Sequence, residues 1–388
     1  MRGPEFSERL KKLPPYLFAE IDKAKRKAKA EGRDIIDLGI GDPDLPTPKH
    51  IIDALNKAAK DPANHHYALD AGMPQFRQAI AKWYKKRFKV VLDPDTEILP
   101  LIGSKEGIAH FPLAFINPGD YVLVPDPCYP PYKNGTTFAG GIPYIMPLLA
   151  ENDFLPDLPR IEKGVLGKAK IMFVNYPNNP TGAVADREFY KKALDLSDKN
   201  NMLICSDAAY SEVCYDGYKP MSILEIDGAK ERAIEFHSLS KTYNMTGWRI
   251  GWACGNRKAV EGLAKVKSNI DSGIFQAIQI AGIAALEGTQ EPLRKANSTY
   301  RERRNALVDG LNSLGWKVSK PKATFYVWAR TLPGYDSSGM ARALLEKANI
   351  IATPGVGLGR NGEGYIRMAV TVEKERIKEA VRRIKRSL

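Results

Sequence analysis

Apolar runs alternate with segments of helical period along the first three quarters of the chain. Five short runs rich in aliphatic and aromatic residues are typical of buried strands: YVLVPD (121–126), KIMFVNYP (170–177), MLICSDAAY (202–210), AIEFHSLS (233–240) and WRIGWACG (248–255). Apolar residues at helical spacing lie between or around them, at 76–88, 188–200 and 257–270. Short apolar strands that alternate with helices predict an α/β fold with a mostly parallel sheet covered by helices.

The pattern changes after about residue 285. A long helical stretch is followed by strand-like and helical segments: 291–315 (helix), KVSK (317–320), TFYVWAR (324–330), 338–348 (helix), GYIRMAV (364–370) and 373–386 (helix). Near the start of the chain, a helix around 16–31 precedes the turn-rich GIGDPDLPTP (39–48). We therefore predict a large domain of residues 47–285 and a smaller α+β domain formed by residues 7–46 and 286–388.

The net charge raises the question of a polyanionic partner. Among 388 residues, 58 Lys and Arg face 45 Asp and Glu, a net charge of +13. Residues 1–33 hold a surplus of five positive charges and residues 371–388 a surplus of four, both on segments with an amphipathic helical pattern. This placement favours solvated helix faces over a nucleic-acid or membrane surface. Because no window approaches about 18 consecutive apolar residues, we predict no membrane span. No basic stripe interleaved with aromatic residues is present, so we predict no nucleic-acid partner.

Cysteine and histidine usage gives no sign of a metal site. The four cysteines are widely spaced and form no Cys-x-x-Cys pair, which argues against a zinc ribbon or a redox motif. Adjacent His65 and His66 would point to opposite faces of a strand, so we predict no metal there. Reduced thiols, together with the lack of a long apolar run in the first nine residues, favour a cytoplasmic protein.

Chemistry-bearing residues follow the predicted strands. In a parallel α/β sheet, ligands bind at the carboxyl ends of the strands. After AIEFH come Ser238, Ser240 and Lys241, and Arg249 follows eight residues after the lysine. Hydroxyls and cations in this arrangement can hold a phosphate, and a desolvated lysine beside other cations becomes a nucleophilic amine. A surface lysine beside a structural arginine explains this segment equally well.

A second strand end favours the chemical interpretation. MLICSD ends in Asp207, and a carboxylate that closes a buried strand needs a cationic partner. A protonated pyridine nitrogen is such a partner, and Tyr210 could then hydrogen-bond a phenolic oxygen on the same ring. A helix N-cap would also explain Asp207 but would leave the lysine unexplained.

Two further strand ends carry weaker signals. Asn179 lies in the turn Asn-Asn-Pro-Thr-Gly after KIMFVNYP and offers its amide to the same edge of the sheet. Ser104 lies in GSKEG at a helix start, where backbone N–H groups and a hydroxyl can face an anion. A plain turn and an ordinary helix start remain alternatives for these two segments.

In this order and spacing, the Asn-Pro-Thr-Gly, Asp-x-x-Tyr and Ser-x-Ser-Lys segments, with an arginine eight residues on, resemble the fold type I pyridoxal-phosphate-dependent aminotransferases. The resemblance extends from Gly39 to Arg367. It implies pyridoxal 5′-phosphate as cofactor, amino acids and 2-oxo acids as substrates, and a homodimer whose active sites are shared across the interface.

Individual roles follow from the same resemblance. Lys241 is implied as the catalytic residue, which forms a Schiff base with the cofactor aldehyde. Implied cofactor contacts are Ser104, Lys105, Tyr129, Asn179, Asp207, Tyr210, Ser238, Ser240, Lys241 and Arg249, with Tyr67 reaching the phosphate of the neighbouring subunit. Implied substrate contacts are Arg367, at the α-carboxylate, together with Gly41, Tyr16, Lys105, Asn179 and Tyr129. The sequence departs from the family at Cys128, where the family commonly has glycine.

The substrate is less sharply indicated than the cofactor. Within the family, four segments are most similar to the branch that transfers amino groups between LL-2,6-diaminopimelate or tetrahydrodipicolinate and 2-oxoglutarate or glutamate: 13–25, 37–48, 103–110 and 125–141. Transamination of alanine or aspartate with 2-oxoglutarate is the alternative, and a C–S β-lyase that uses the same cofactor residues is less favoured.

Overall fold

The fold is a seven-stranded α/β sheet joined to a smaller α+β region. The computed structural model describes residues 3–13 and 17–388. Its strands are β1 (Ile36–Asp37), β2 (Ile98–Leu101), β3 (Tyr121–Asp126), β4 (Ile142–Pro147), β5 (Ala169–Asn175), β6 (Leu203–Asp207), β7 (Ala233–Ser238), β8 (Gly251–Gly255), β9 (Tyr326–Arg330), β10 (Ile350–Ile351), β11 (Thr353–Pro354) and β12 (Tyr365–Ala369). Its α-helices are α1 (Glu8–Lys11), α2 (Leu17–Ala30), α3 (Lys49–Ala58), α4 (Pro74–Phe88), α5 (Ser104–Phe115), α6 (Pro131–Phe138), α7 (Lys163–Leu166), α8 (Arg187–Lys199), α9 (Leu239–Thr242), α10 (Arg257–Lys267), α11 (Gln276–Glu287), α12 (Glu291–Ser313), α13 (Ser337–Ala348) and α14 (Lys374–Ser387).

The large sheet has the order β2-β8-β7-β6-β5-β3-β4. Strand β8 is antiparallel to both of its neighbours, and the remaining pairs are parallel. The central strands β5 to β7 are almost wholly buried, which explains their continuous apolar sequence. The five predicted strands and the α/β class are confirmed.

The smaller region is built on the antiparallel sheet β11-β12-β9 and the parallel pair β1-β10. Apolar side chains of its strands and of α12, α13 and α14 form one buried cluster, with contributions from Val213 and Tyr215 of the large sheet's loops. Strand β12 is the central strand of its sheet, so its backbone groups are paired on both edges, and its residues from Ile366 to Ala369 are buried. This places Arg367 in the interior.

The prediction of a strand at 317–320 is wrong. Val318 donates its backbone N–H to Asn312 Oδ1 at 2.8 Å, and its carbonyl accepts from Asn312 Nδ2 at 3.0 Å. Because a side chain on α12 takes both backbone groups of Val318, they are not available to a sheet ladder. The predicted strands at 324–330 and 364–370 correspond to β9 and β12.

The positive charges near the chain ends are partly paired. Helix α14 buries Ile377, Ala380 and Ile384 and turns its basic side chains outward. Asp34 accepts hydrogen bonds from Arg376 and Arg383, which lower the pKa of this carboxyl to about 2. The terminal surplus therefore lies on the solvated faces of packed helices. Over residues 3–13 and 17–388, no helix has both the length and the apolar character to cross a membrane.

Candidate active site

The strand ends surround a cavity of about 470 Å³ between the large sheet and the smaller region. The predicted site residues that line it are Gly41, Ser104, Lys105, Tyr129, Asn179, Asp207, Tyr210, Ser238, Ser240, Lys241, Arg249 and Arg367. Tyr67 does not line it and is 92% exposed on the surface. Tyr16 lies outside the described residues.

Sheet topology explains why residues so distant in sequence converge. Strands β5, β6 and β7 are parallel, so their carboxyl ends lie at one edge of the sheet and bring Asp207 and Ser238 together. Arg249 instead precedes its strand, β8. Because β8 runs antiparallel to β7, its amino end lies at this same edge. An arginine before a strand and a lysine after one therefore face the same cavity.

Lys241 lies on the one-turn helix α9, directly after β7. The Ser238 hydroxyl caps this turn by accepting the backbone N–H of Ser240 at 3.2 Å. The lysine Nζ donates a hydrogen bond to the carbonyl of Gly41 at 3.1 Å. Burial lowers the pKa of Lys241 to about 8, a shift that nearby Asp42 opposes and that Arg249 and Arg367 reinforce. An appreciable share of this amine is therefore unprotonated and nucleophilic near neutral pH.

Asp207 closes β6 with its carboxylate on the cavity wall, and the residue is 5% exposed. Its Oδ2 accepts a hydrogen bond from the Tyr132 hydroxyl at 2.7 Å, and its Oδ1 accepts from Ala209 N at 3.2 Å. Burial raises the pKa of Asp207, although both hydrogen bonds oppose that shift. A buried carboxylate with neutral donors at the edge of a cavity is suited to a cationic ligand group.

Tyr132 is held in place by a parallel stack on Phe173, with ring centroids 4.9 Å apart. Tyr132→Phe removes the hydroxyl that donates to a buried carboxylate. We expect the free energy of unfolding at neutral pH to fall by about 1–3 kcal/mol, as measured by urea titration. Tyr144→Phe is the matched control, since the described residues give the Tyr144 hydroxyl no hydrogen-bond partner. Equal stability of the Tyr132 variant and the wild type would contradict this assignment.

Arg367 presents a second fixed cation to the cavity and is 1% exposed. Its Nη1 donates to Asn179 Oδ1 at 2.8 Å, and its Nη2 donates to the carbonyl of Gly39 at 2.8 Å. The guanidinium carbon also lies 4.3 Å from the centre of the Tyr326 ring. These neutral groups orient the guanidinium, whose planar fork suits an incoming carboxylate.

The Gly41 segment and Tyr326 form a wall of the cavity beside the lysine. A Cβ on Gly41 would lie 2.1 Å from the Tyr326 hydroxyl, so only glycine allows this close approach. The Tyr326 hydroxyl lies 3.0 Å from that of Tyr210, and the pair spans the cavity wall between the large sheet and β9.

Arg249 and the start of α5 form an anion-binding end of the cavity. The arginine has left-handed backbone (φ 55°) and donates its Nη1 to Thr246 O at 2.9 Å. A Cβ on Gly103 would lie 2.4 Å from Arg249 Nη2, so the guanidinium rests against the turn just before Ser104. The N–H groups of the helix start, the serine hydroxyls and the arginine together favour a phosphate.

Sequence reasoning missed several cavity residues: Ile40, Asp42, Tyr132, Asn175, Ala209, Thr246 and Tyr326. Asn175 is the last residue of β5. The rule that ligands bind at the carboxyl ends of parallel strands therefore predicts it, when the last residue of each strand is included. Tyr132 lies one helical turn after Tyr129. No local signal marks Tyr326, which approaches the site because the residues before β9 pair with those after β6: Thr324 N donates to Val213 O at 2.8 Å.

The chain is similar to known proteins over nearly its whole length. The model of the family "Aminotransferase class I and II" matches residues 33–384. An LL-diaminopimelate aminotransferase of Desulforudis audaxviator is 55% identical over 379 residues, or 98% of this chain and 97% of that protein. One of Moorella thermoacetica is 56% identical over 382 residues, 98% of each chain.

A solved structure shares the fold as well. The probable N-succinyldiaminopimelate aminotransferase of Thermus thermophilus superposes with a TM-score of 0.90 at 38% identity, covering 96% of this chain and all of that one. The fold class, the enzyme class and the cofactor predicted from the sequence are confirmed. The chain belongs to the class I and II aminotransferases, enzymes of fold type I that use pyridoxal 5′-phosphate.

Proposed function

We propose that this enzyme transfers an amino group between LL-2,6-diaminopimelate or tetrahydrodipicolinate and 2-oxoglutarate or glutamate, a step of lysine biosynthesis. The observation that carries the proposal is the identity of 55–56%, over nearly the whole chain, with relatives named LL-diaminopimelate aminotransferase. The geometry is consistent with a substrate that carries a carboxylate, since Arg367 offers its oriented fork to the cavity.

The described residues fit pyridoxal phosphate. The buried Asp207 carboxylate suits a protonated ring nitrogen, and Asn179 and Tyr210 lie on the same cavity wall to hydrogen-bond the ring oxygen. Tyr129 supplies an aromatic face. The phosphate is assigned to the anion-binding end of the cavity, which is formed by Ser104, Lys105, Ser238, Ser240 and Arg249.

Lys241 is assigned both nucleophilic and proton-transfer roles. When bound, pyridoxal phosphate supplies an aldehyde for amino groups and a conjugated ring that accepts the electrons of the substrate's Cα–H bond. Lys241 Nζ would hold the cofactor at its aldehyde and, as a free amine, would accept the proton from the substrate Cα. Asp207 would balance the charge of a protonated ring nitrogen, and Arg367 with Asn179 would fix the α-carboxylate so that Cα faces the lysine. Because amino and oxo acids alternate, the kinetics are ping-pong.

Substrate selectivity is assigned to the mouth of the cavity. We assign to Lys105, which lines the cavity, the role of a positive charge for a dicarboxylic partner such as 2-oxoglutarate. Gly41 borders the substrate through its carbonyl, and Tyr16 remains a proposed mouth residue outside the described ranges. We retain residues 47–285 as the cofactor-binding domain and residues 7–46 with 286–388 as the small domain.

A homodimer with shared active sites is part of the proposal. Tyr67, assigned to a neighbouring subunit's phosphate, is 92% exposed, and Leu69, Ile270 and Phe275 are also exposed. Gly273 lies against the backbone of Leu69, so the exposed segments 67–69 and 270–275 adjoin, and an exposed apolar surface shared by adjoining segments favours a protein partner. Sedimentation at micromolar concentration tests the dimer.

The four cysteines are free, which supports a reducing, cytoplasmic location.

The pH at which Lys241 becomes reactive is a direct prediction. The cofactor-free protein is mixed with pyridoxal phosphate and borohydride, and labelled Lys241 is quantified by peptide mass spectrometry. Only the neutral amine reacts, so the labelling rate should rise with pH through about 8, well below the ordinary lysine value of about 10.4. Arg249→Gln removes a neighbouring cation and should move the rise to higher pH. A wild-type rise centred near pH 10 would contradict the assigned environment.

The substrate is tested by product formation from purified enzyme. With LL-2,6-diaminopimelate and 2-oxoglutarate, we expect glutamate to form with a kcat/KM at least about tenfold above that for alanine or aspartate. Faster reaction of alanine or aspartate would identify the enzyme as an aminotransferase of those substrates. Release of pyruvate and ammonia from a cysteine-type substrate without any 2-oxo acid would instead identify a β-lyase.

A further inference from the structure

A buried carboxylate lies behind the site on the same strand that leads to Lys241. Glu235 of β7 is 1% exposed, and its two oxygens accept hydrogen bonds from Tyr84 Oη (3.0 Å), Ser222 Oγ (2.7 Å), Ser206 Oγ (3.3 Å) and Ile223 N (3.1 Å). Burial would raise the pKa of this carboxyl, but its hydrogen bonds, led by one from His237, hold the pKa below its ordinary value. Glu235 is therefore a fixed, ionised acceptor.

His237 completes the set of donors to Glu235. It lies two residues further along β7, on the same face, and its Nε2 is 3.0 Å from Glu235 Oε1. Because the carboxylate can only accept, Nε2 carries the hydrogen. The imidazole is 3% exposed and stacks on Trp252 with ring centroids 5.3 Å apart. The stack on Trp252 thus fixes the plane of the imidazole ring, and the hydrogen bond to Glu235 fixes its rotation within that plane.

The other ring nitrogen of His237 points to the turn that carries two site residues. Nδ1 lies 3.5 Å from the Ser211 hydroxyl, and Ser211 is buried. Ser211 ends the segment 207–211, whose residues Asp207 and Tyr210 both line the cavity. The backbone joins the same elements, because Ala208 N donates to Phe236 O at 2.9 Å.

We propose that Glu235 and His237 are positioning residues that hold the 207–211 turn from behind through Ser211, and so fix Asp207 and Tyr210 toward the cofactor. The hydrogens run in one direction, from the Ser211 hydroxyl to Nδ1 and from Nε2–H to Glu235. Tyr132 restrains the Asp207 carboxylate from the cavity side. The hydrogen bonds from Ser211 to His237 and from His237 to Glu235 restrain the backbone of Asp207 from the opposite side. The inference rests on the proposed cofactor role of Asp207.

The test measures the binding of pyridoxal phosphate alone to cofactor-free protein. Ser211→Ala removes the link to the turn, and His237→Phe keeps a stacking ring while it removes both nitrogens. We expect a dissociation constant for pyridoxal phosphate about tenfold above the wild-type value in each variant. We also expect a shift in the pH midpoint of the bound cofactor's visible absorption band, a property that a loosened Asp207 changes directly. In turnover, kcat should fall more than KM for the amino donor changes.

Two controls distinguish an effect of the hydrogen bonds between Ser211, His237 and Glu235 from a general effect on packing. Ser206→Ala removes another hydrogen bond to Glu235 but leaves His237 and Ser211 in place, so it should bind pyridoxal phosphate like the wild type. The double variant Ser211→Ala/His237→Phe should bind pyridoxal phosphate no more weakly than His237→Phe alone, because both changes interrupt the same series of hydrogen bonds.

The outcomes separate this inference from the proposed function. Folded Ser211→Ala and His237→Phe variants with wild-type affinity and pH midpoint would overturn the inference. Equal weakening by Ser206→Ala would do the same. If His237→Phe does not fold, Ser211→Ala decides by itself. Failure of the wild type to bind pyridoxal phosphate would instead overturn the proposed function on which the inference rests.

Discussion

Replacing Lys241 by alanine is expected to lower kcat by about 10⁴-fold or more while the protein stays folded. The amine is the one group in the described cavity that combines a pKa lowered to about 8 with a position at the end of β7. Its removal takes away both the nucleophile and the proton carrier. The measurement is single-turnover conversion of the amino donor on enzyme loaded with pyridoxal phosphate.

The control for this variant is an exposed lysine of similar chemistry. Lys192 on α8 has its side chain 66% exposed and does not line the cavity, so Lys192→Ala should retain wild-type kcat. Circular dichroism and unfolding curves of the Lys241→Ala protein should match the wild type. Turnover at the wild-type rate by a folded Lys241→Ala protein would disprove the assigned chemistry.

Asp207→Asn is expected to lower kcat by about 10²–10⁴-fold without destabilising the cofactor-free protein. Burial raises the pKa of Asp207 in the folded state above its value in the unfolded chain. The folded state therefore binds the proton more tightly, and above this raised pKa the ionised carboxylate costs folding free energy. The neutral amide avoids that cost and still accepts the Tyr132 hydrogen bond, but it cannot balance a protonated ring nitrogen.

Two measurements on the Asp207→Asn protein test both halves of this expectation. Urea unfolding of the cofactor-free variant at pH 7 should give a midpoint equal to or above that of the wild type. The rate of proton loss from the substrate Cα, followed by exchange with deuterated water, should fall with kcat. An unchanged exchange rate would contradict the pairing with the ring nitrogen, and a marked loss of stability would show that the carboxylate serves the fold.

The predictable part of the site lies in short stretches of sequence. Three such stretches each follow an apolar strand that the composition predicts: Ser238 to Lys241, Asp207 to Tyr210 and the turn with Asn179. Because ligands bind at the carboxyl ends of parallel strands, these stretches are predicted to meet at one site. The strand expected at 317–320 was wrong because side-chain competition for backbone groups leaves no mark in an apolar pattern.

Contacts between distant segments could not be predicted in this way. Tyr326 reaches the Tyr210 hydroxyl across 116 positions of sequence, and Gly41 is glycine because of that same tyrosine. Hydrogen bonds between Glu235, His237 and Ser211 connect β7 with the turn after β6, although no local sequence pattern marks these side chains. Such pairs depend on how β9 and β7 pack, which local periodicity does not encode.

The sequence by itself determined the α/β class, the cofactor chemistry and the strand-end residues, because hydrophobic period and residue type are local properties of the chain. Only the tertiary structure decided that β8 runs antiparallel and thereby brings Arg249 to the cavity, that Arg367 is oriented by Asn179, and that Tyr132 supports Asp207. The physical reason is that strand direction, burial and hydrogen-bond geometry are fixed by long-range packing. That packing also gives Lys241 the buried, cation-flanked environment that lowers its pKa.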